Sequence, residues 1–163
     1  DGYLWVGTHE GLARFDGVEF ATFDGPKTCG MKRASVTALC VAADGSLWIG
    51  TENQGVVRWR DGVFRALSGT NAPAGRNIRA LYRDRSGAIW IGSTWGVERF
   101  QGGVYKAYRR REGLLADEVL AICEGSCSNL WLGTTSGLNR LQGGQIEAFA
   151  SVSGTANDPV RSL

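Results

Sequence analysis

Residues 47–55 read LWIGTENQG, and the same pattern returns as LWVGTHEG at 4–11, IWIGSTWG at 89–96 and LWLGTTSG at 130–137. The four tetrad tryptophans, Trp5, Trp48, Trp90 and Trp131, are spaced 43, 42 and 41 residues apart. A fixed period in this range marks a repeat architecture, in which one supersecondary unit is stacked on copies of itself. What surrounds the tetrads repeats as well. A second run follows each of them: GLARFDG at 11–17, GVVRWRDG at 55–62, GVERFQGG at 96–103 and GLNRLQGG at 137–144. After a glycine turn comes a third: VEFATF at 18–23, VFRAL at 63–67, VYKAY at 104–108 and QIEAF at 145–149. Ahead of the later tetrads stands a fourth: SVTALCVA at 35–42, NIRALYRD at 77–84 and EVLAICEG at 118–125.

Short runs rich in β-branched and aromatic residues, bounded by turn residues, read as strands. Asp44-Gly45 and Ser86-Gly87 precede two tetrads, while Asp16-Gly17, Asp61-Gly62, Gly102-Gly103 and Gly143-Gly144 follow the second runs. Such pairs supply the positive φ that tight hairpins require. The fourth unit has Cys127-Ser128 instead, which predicts a looser turn. No segment keeps a helical period. The expected fold is all-β, a β-propeller of four-stranded antiparallel blades, with repeats near 1–34, 35–76, 77–117 and 118–156 and a further strand beginning in 157–163. The strands of a blade are named A to D, the tetrad being B. The first repeat lacks its A strand, and Val160–Leu163 aligns on Val36–Leu39. Either that last stretch completes the first blade and closes a four-bladed ring, or the chain is part of a larger propeller. Ends that fall mid-blade favour the second reading, which leaves sheet edges for other blades or a second copy of the chain.

Composition fits this. The 163 residues are enough for a buried core, and 24 glycines beside only 3 prolines are turn punctuation rather than linker. A net charge of +2 from mixed charges points to no nucleic-acid partner. No apolar run approaches the ~20 residues of a membrane span.

The pattern DGxLWxGTxxGLxRFDGxxF, met nearly throughout in DGYLWVGTHEGLARFDGVEF at 1–20 and with local losses in the other units, resembles the two-component regulator propeller repeat. In that family, tandem propellers form the extracytoplasmic sensor part of bacterial membrane receptors whose cytoplasmic ends are histidine kinases, hybrid regulators or diguanylate cyclases. The resemblance implies a periplasmic, non-catalytic segment that senses a ligand, such as a carbohydrate or other nutrient, or relays a signal. It also makes Cys123–Cys127 a candidate bridge; four cysteines (Cys29, Cys40, Cys123, Cys127) allow three full connectivities, and free thiols remain the alternative.

Residues recurring in every unit are expected to be scaffold. The tryptophans are expected to pack between blades, and Arg14, Arg58, Arg99 and Arg140 to hold a carbonyl or an acid of the adjacent blade. Binding is then sought where the repeats differ. The B–C turns contribute His9, Glu10, Glu52, Asn53, Gln54, Thr94, Trp95, Thr135 and Ser136. Amide, acid, hydroxyl and imidazole groups with one loop indole suit a polar ligand with a flat face, such as a saccharide. Basic D–A loops, with Lys27, Lys32 and Arg33 in one and Arg109, Arg110 and Arg111 in another, offer attraction for an anion, although Glu112, Asp117 and Glu118 offset the second. A single histidine gives no nucleophile–base pair, no metal cluster and no cofactor site. A propeller lyase of the streptogramin-inactivating type has similar short blades and would need a second histidine or a metal beside His9. An interaction scaffold is the other alternative.

Overall fold

In a computed structural model the described residues are 2–23, 31, 34–67, 77–149 and 158–163. Cys29, Lys27, Lys32 and Arg33 lie outside them. The strands run in meanders, as the turn spacing predicts. β1 (Leu4–Thr8), β2 (Gly11–Phe15) and β3 (Phe20–Thr22) form a three-stranded sheet in that order. β4 (Val36–Val41), β5 (Leu47–Thr51), β6 (Val56–Arg60) and β7 (Val63–Ala66) form the next. β8 (Ile78–Arg83), β9 (Ile89–Ser93), β10 (Gly96–Gln101) and β11 (Val104–Tyr108) form the third, and β12 (Val119–Glu124), β13 (Leu130–Thr134), β14 (Gly137–Gln142) and β15 (Gln145–Phe149) the fourth. All pairings are antiparallel. These are propeller blades, the first without an A strand; residues 158–163 form no strand. Among the described residues helix is confined to two 3-10 turns, Arg110–Glu112 and Ser126–Ser128.

The chain divides into two compact units, residues 1–78 and 79–163, of two blades each. Each unit has its own core. In the first, Leu12, Met31, Ala34, Leu47, Ile49, Val57 and Phe64 are buried together. In the second, Trp90, Val97, Tyr108, Leu114, Val119, Leu130, Leu132 and Leu141 do the same. The larger of these side chains, from valine upward, each contribute about 1.5–3 kcal/mol when taken out of water.

The tetrad glycine is what lets blades approach. A Cβ on Gly7 would lie 2.5 Å from Val36 Cγ1, and one on Gly50 2.6 Å from Ile78 Cγ2. In the second unit the same Cβ on Gly92 would lie 3.1 Å from the Val119 carbonyl oxygen, and on Gly133 2.5 Å from that of Val160. Each tetrad glycine therefore lies against a β-branched residue: Val36, Ile78, Val119 or Val160. Val160 is held further by its N–H, which donates to the Thr134 carbonyl at 3.0 Å.

The turn without glycine departs from expectation in one respect. Cys127 and Ser128 both adopt left-handed backbone, at φ 58° and 56°, and Cys123 and Cys127 are unbonded thiols. The candidate bridge does not form: Cys123 sits on β12 with its Sγ toward the Glu124 carbonyl, while Cys127 is exposed on the turn.

Candidate functional site

In every blade the tetrad tryptophan and the strand-C arginine are direct cross-strand partners: Trp5 with Arg14, Trp48 with Arg58, Trp90 with Arg99 and Trp131 with Arg140. The arginines then diverge. Arg14 lies over the rings of Tyr3 and Trp5, at 4.2 and 5.8 Å. Arg58 donates to Ser46 Oγ at 3.0 Å and pairs with Asp44. Arg99 lies 5.8 Å from the centroid of Trp90 and donates to Gln101. Arg140 pairs with Glu147 at 2.6 Å. Among the described residues these partners belong to the arginine's own blade, not to the adjacent one that the sequence pointed to. The tryptophans also differ among themselves. Trp5 packs across to Trp59 at 4.8 Å, Trp90 stacks on Tyr108 at 5.9 Å, Trp131 meets Phe149 at 5.2 Å, and Trp48 is fully buried.

The B–C turns share one device. The hydroxyl that follows the tetrad glycine donates to the carbonyl of the glycine opening strand C: Thr8 to Gly11, Thr51 to Gly55, Ser93 to Gly96 and Thr134 to Gly137, at 2.8–3.3 Å. The same oxygens accept from the N–H groups of Glu10, Gln54, Trp95 and Ser136. A short polar side chain that satisfies turn backbone in this way fixes the loop. The candidate residues are thereby held on rigid turns, with side chains free to vary.

In the first unit, His9 Nδ1 lies 2.9 Å from Ser35 Oγ, and the Glu52 N–H donates to the Ser35 carbonyl at 3.0 Å. This brings His9 and Glu52 to the start of strand A, while Glu10 and Asn53 are exposed. In the second unit Trp95 stands 63% exposed, beside the half-buried Thr94. Thr135 donates its N–H to the Glu118 carbonyl and lines a cleft of about 300 Å³ with Arg79, Glu118, Leu120 and Arg161. Ser136 sits beside it, half-buried. Arg79 grips Glu118 from the neighbouring strand A at 3.0 Å. Arg79 and Arg161 were not singled out from sequence. The signal was there: Thr37, Arg79, Leu120 and Arg161 align at one position of the repeat, and that position keeps no single residue type.

Two further residues missed in the sequence are buried polar groups of strand C. Glu98 and Asn139 stand where the first two blades have Ala13 and Val57. Both hold the loop between the last two blades. Arg109 Nη2 donates to Glu98 Oε1 at 2.8 Å. Asn139 accepts from the Leu115 N–H at 3.1 Å and donates to the Gly113 carbonyl at 3.3 Å. Burial lowers the pKa of Arg109, against the opposing charges of Asp117 and Glu112. Arg111 pairs with Glu112 at 2.6 Å, so two of the three loop arginines are bound to acids. At the other end of the blade, burial of Asp84 is outweighed by hydrogen bonds from Ser86, Trp90 and Ala88 and by the charge of Arg99, and its carboxyl is held below the usual carboxylate range.

Among the described residues no three His, Cys, Asp or Glu side chains gather closely enough to hold a metal ion, and no helix is long and apolar enough to cross a membrane.

The fold and its repeating blade define a β-propeller. In comparison with known proteins, the two-component regulator propeller family model matches residues 30–53 and 73–95. Solved structures agree in fold. The extracellular domain described as that of the hybrid two-component system BT4673 from B. thetaiotaomicron superposes with a TM-score of 0.79 at 18% identity, covering 99% of this chain and 23% of that one. The corresponding domain of BT3049 gives 0.72 at 24% identity, over 86% and 20%. Virginiamycin B lyase from Staphylococcus aureus gives 0.75 at 17% identity, over 96% and 55%. The chain thus spans about a fifth of the length of the two-component domains it resembles. No curated protein matches it.

Proposed function

We propose that this chain is a ligand-sensing or signal-relaying segment of an extracytoplasmic receptor propeller, working by binding rather than by catalysis. The observation that carries the reading is the cleft at the B–C end of the second unit, where Arg79, Glu118, Thr135 and Arg161 meet. An ion pair, a hydroxyl and a second guanidinium suit a polar, hydroxylated ligand, a saccharide being the class with this donor and acceptor mix. His9, Glu10, Glu52, Asn53, Gln54, Thr94, Trp95 and Ser136 lie on B–C turns and supply the same kind of groups to that end of their blades. The two-component ectodomains it resembles support the extracytoplasmic setting and a role in relay, in which ligand contact biases the arrangement of receptor copies.

The test is calorimetric titration of the chain with a panel of neutral and acidic saccharides, repeated with Arg161→Gln, Thr135→Val and Trp95→Ala. Binding weakened by these exposed-end changes, with the fold unchanged by circular dichroism, supports the reading. Binding indifferent to all three removes this end as the site.

A second reading has one observation in its favour. β1 pairs only with β2 among the described residues, and Leu4, Val18 and Phe20 of that blade are exposed. An open strand edge with apolar neighbours is a pairing surface, which fits a scaffold that meets further blades or a second copy of the chain. A concentration-dependent mass by light scattering, abolished by Leu4→Lys, is its expected sign; an unchanged monomer refutes it.

A further inference from the structure

The larger cleft of the second unit lies at the opposite end of the blades, where the A–B and C–D turns emerge. Its volume is about 420 Å³, within the range of small-molecule sites. Its charges are unevenly used. Asp84 already accepts from Ser86 Oγ at 2.6 Å, the Ala88 N–H at 2.9 Å and Trp90 Nε1 at 2.7 Å. Glu124 accepts from the Arg85 N–H at 2.9 Å, and its side chain is nearly buried. Neither carboxylate has much capacity left for a ligand. The cations are in the reverse state. Lys106 Nζ lies 5.0 Å from the Tyr108 ring centroid and Arg99 5.8 Å from that of Trp90. Among the described residues Lys106 makes no ion pair, and Arg99 donates to the neutral Gln101 while its charge also bears on Asp84.

An ammonium and a guanidinium held over aromatic faces keep their charge available at low conformational cost, because the rings fix their stems. Around them the cleft is amphipathic. Ser86 and Ser128 bring hydroxyls, and Leu130 and Leu141 form an apolar wall. A bare inorganic anion would use the cations and leave the wall uncovered; a neutral sugar would use the hydroxyls and leave the cations unanswered.

We propose that this interblade cleft is a binding site for a hydroxylated carboxylate of monosaccharide size, a hexuronate being the simplest example, with Lys106 and Arg99 holding the carboxylate and the serines meeting ring hydroxyls. The site is separate from the B–C end and stands or falls independently of the function proposed there. Lys106 is exposed on strand D, so its replacement leaves the core intact.

The experiment is calorimetric titration of the chain with D-glucuronate, D-glucose and inorganic phosphate, using the wild type, Lys106→Gln and Lys106→Arg. Saturable glucuronate binding is expected, weakened about tenfold or more in K106Q, the loss of one charge-assisted contact. K106R is expected to retain it, and glucose and phosphate to bind far more weakly. Absence of glucuronate binding, equal affinity in K106Q, or glucose or phosphate binding as tightly as glucuronate would each overturn the proposal.

Discussion

Arg109, on the loop that leaves β11, places its guanidinium 2.8 Å from a carboxylate oxygen of Glu98, and Glu98 is only 1% exposed. The loop is thereby tied back onto strand C of its own blade, and Asn139 ties the same loop to the following blade. Removing one member of a buried ion pair strands the other charge, which costs about 3–5 kcal/mol, whereas replacing both with apolar groups of similar volume is often neutral. Because Arg109 keeps 21% of its side chain exposed, Arg109→Met is expected near the lower end, at about 3 kcal/mol. Glu98→Val with Arg109→Met restores most of that, since Val57 fills the equivalent position in the second blade. Urea denaturation of the single and double variants measures both. A double variant as unstable as the single one would show that the pair, and not relief of a buried charge, governs this loop.

Asp84 gives the chain a pH dependence whose sign follows from its partners. Its folded pKa lies below the ordinary 3.8, so the folded state favours the carboxylate. The stabilisation is fully present above that ordinary value and is lost as pH falls through the folded pKa. Asp84→Ala should therefore destabilise by about 1–2 kcal/mol at pH 7, the scale of hydrogen bonds to a charged acceptor. The gap between wild type and variant should narrow as pH falls below 3.8. Chemical denaturation across that range checks it; a gap independent of pH would assign the loss to packing.

The tetrad glycines carry a third expectation. A methyl group on Gly50 would sit 2.6 Å from Ile78 Cγ2 and 3.1 Å from its Cβ. Gly50→Ala is expected to cost about 1–3 kcal/mol, as overpacking does. Ile78→Ala removes the nearer of the two atoms, so the double variant should lose at least about 1 kcal/mol less than the sum of the singles. Thermal melts of the cycle test the contact directly. Simple additivity would mean that the glycine serves the strand backbone and not the close approach of Ile78.

The blade was legible in the sequence because it is built from local, repeated signals. Alternating apolar residues and glycine turns gave each strand and its neighbour, and Trp48 of β5 faces Arg58 of β6 because a hairpin pairs what lies close in the chain. What escaped was non-local and unrepeated. Glu98 and Asn139 occur once each, and their partners Arg109 and Leu115 lie on a loop whose course no period dictates. Met31 and Ala34 fall outside the four repeated runs and are nonetheless core, because an apolar residue next to a strand can be buried without any period marking it. The arginines recur at one register position, yet each finds a different partner, because the acid positions around them do not repeat. The same holds for the candidate face. The B–C turns could be placed from spacing, but the meeting of Arg79 with Glu118 required two strands from different blades.

The turn before β13 supplies the last prediction. Ser128 aligns on Gly45 and Gly87, whose φ values are 77° and 83°, and it takes the same left-handed backbone at 56°. A residue with a Cβ is disfavoured there by about 1 kcal/mol, and glycine is not. Ser128→Gly is thus expected to raise stability by up to about 1 kcal/mol, despite the greater freedom that glycine gives the unfolded chain. Cys127→Gly should act in the same direction, since Cys127 shares the left-handed conformation at φ 58°. Asp44→Gly, at the position equivalent to Cys127, should instead destabilise, because it removes the carboxylate that accepts from Ser46 and pairs with Arg58. Melting temperatures of the three variants separate a backbone effect, which stabilises at the fourth blade alone, from a general response of these turns to glycine.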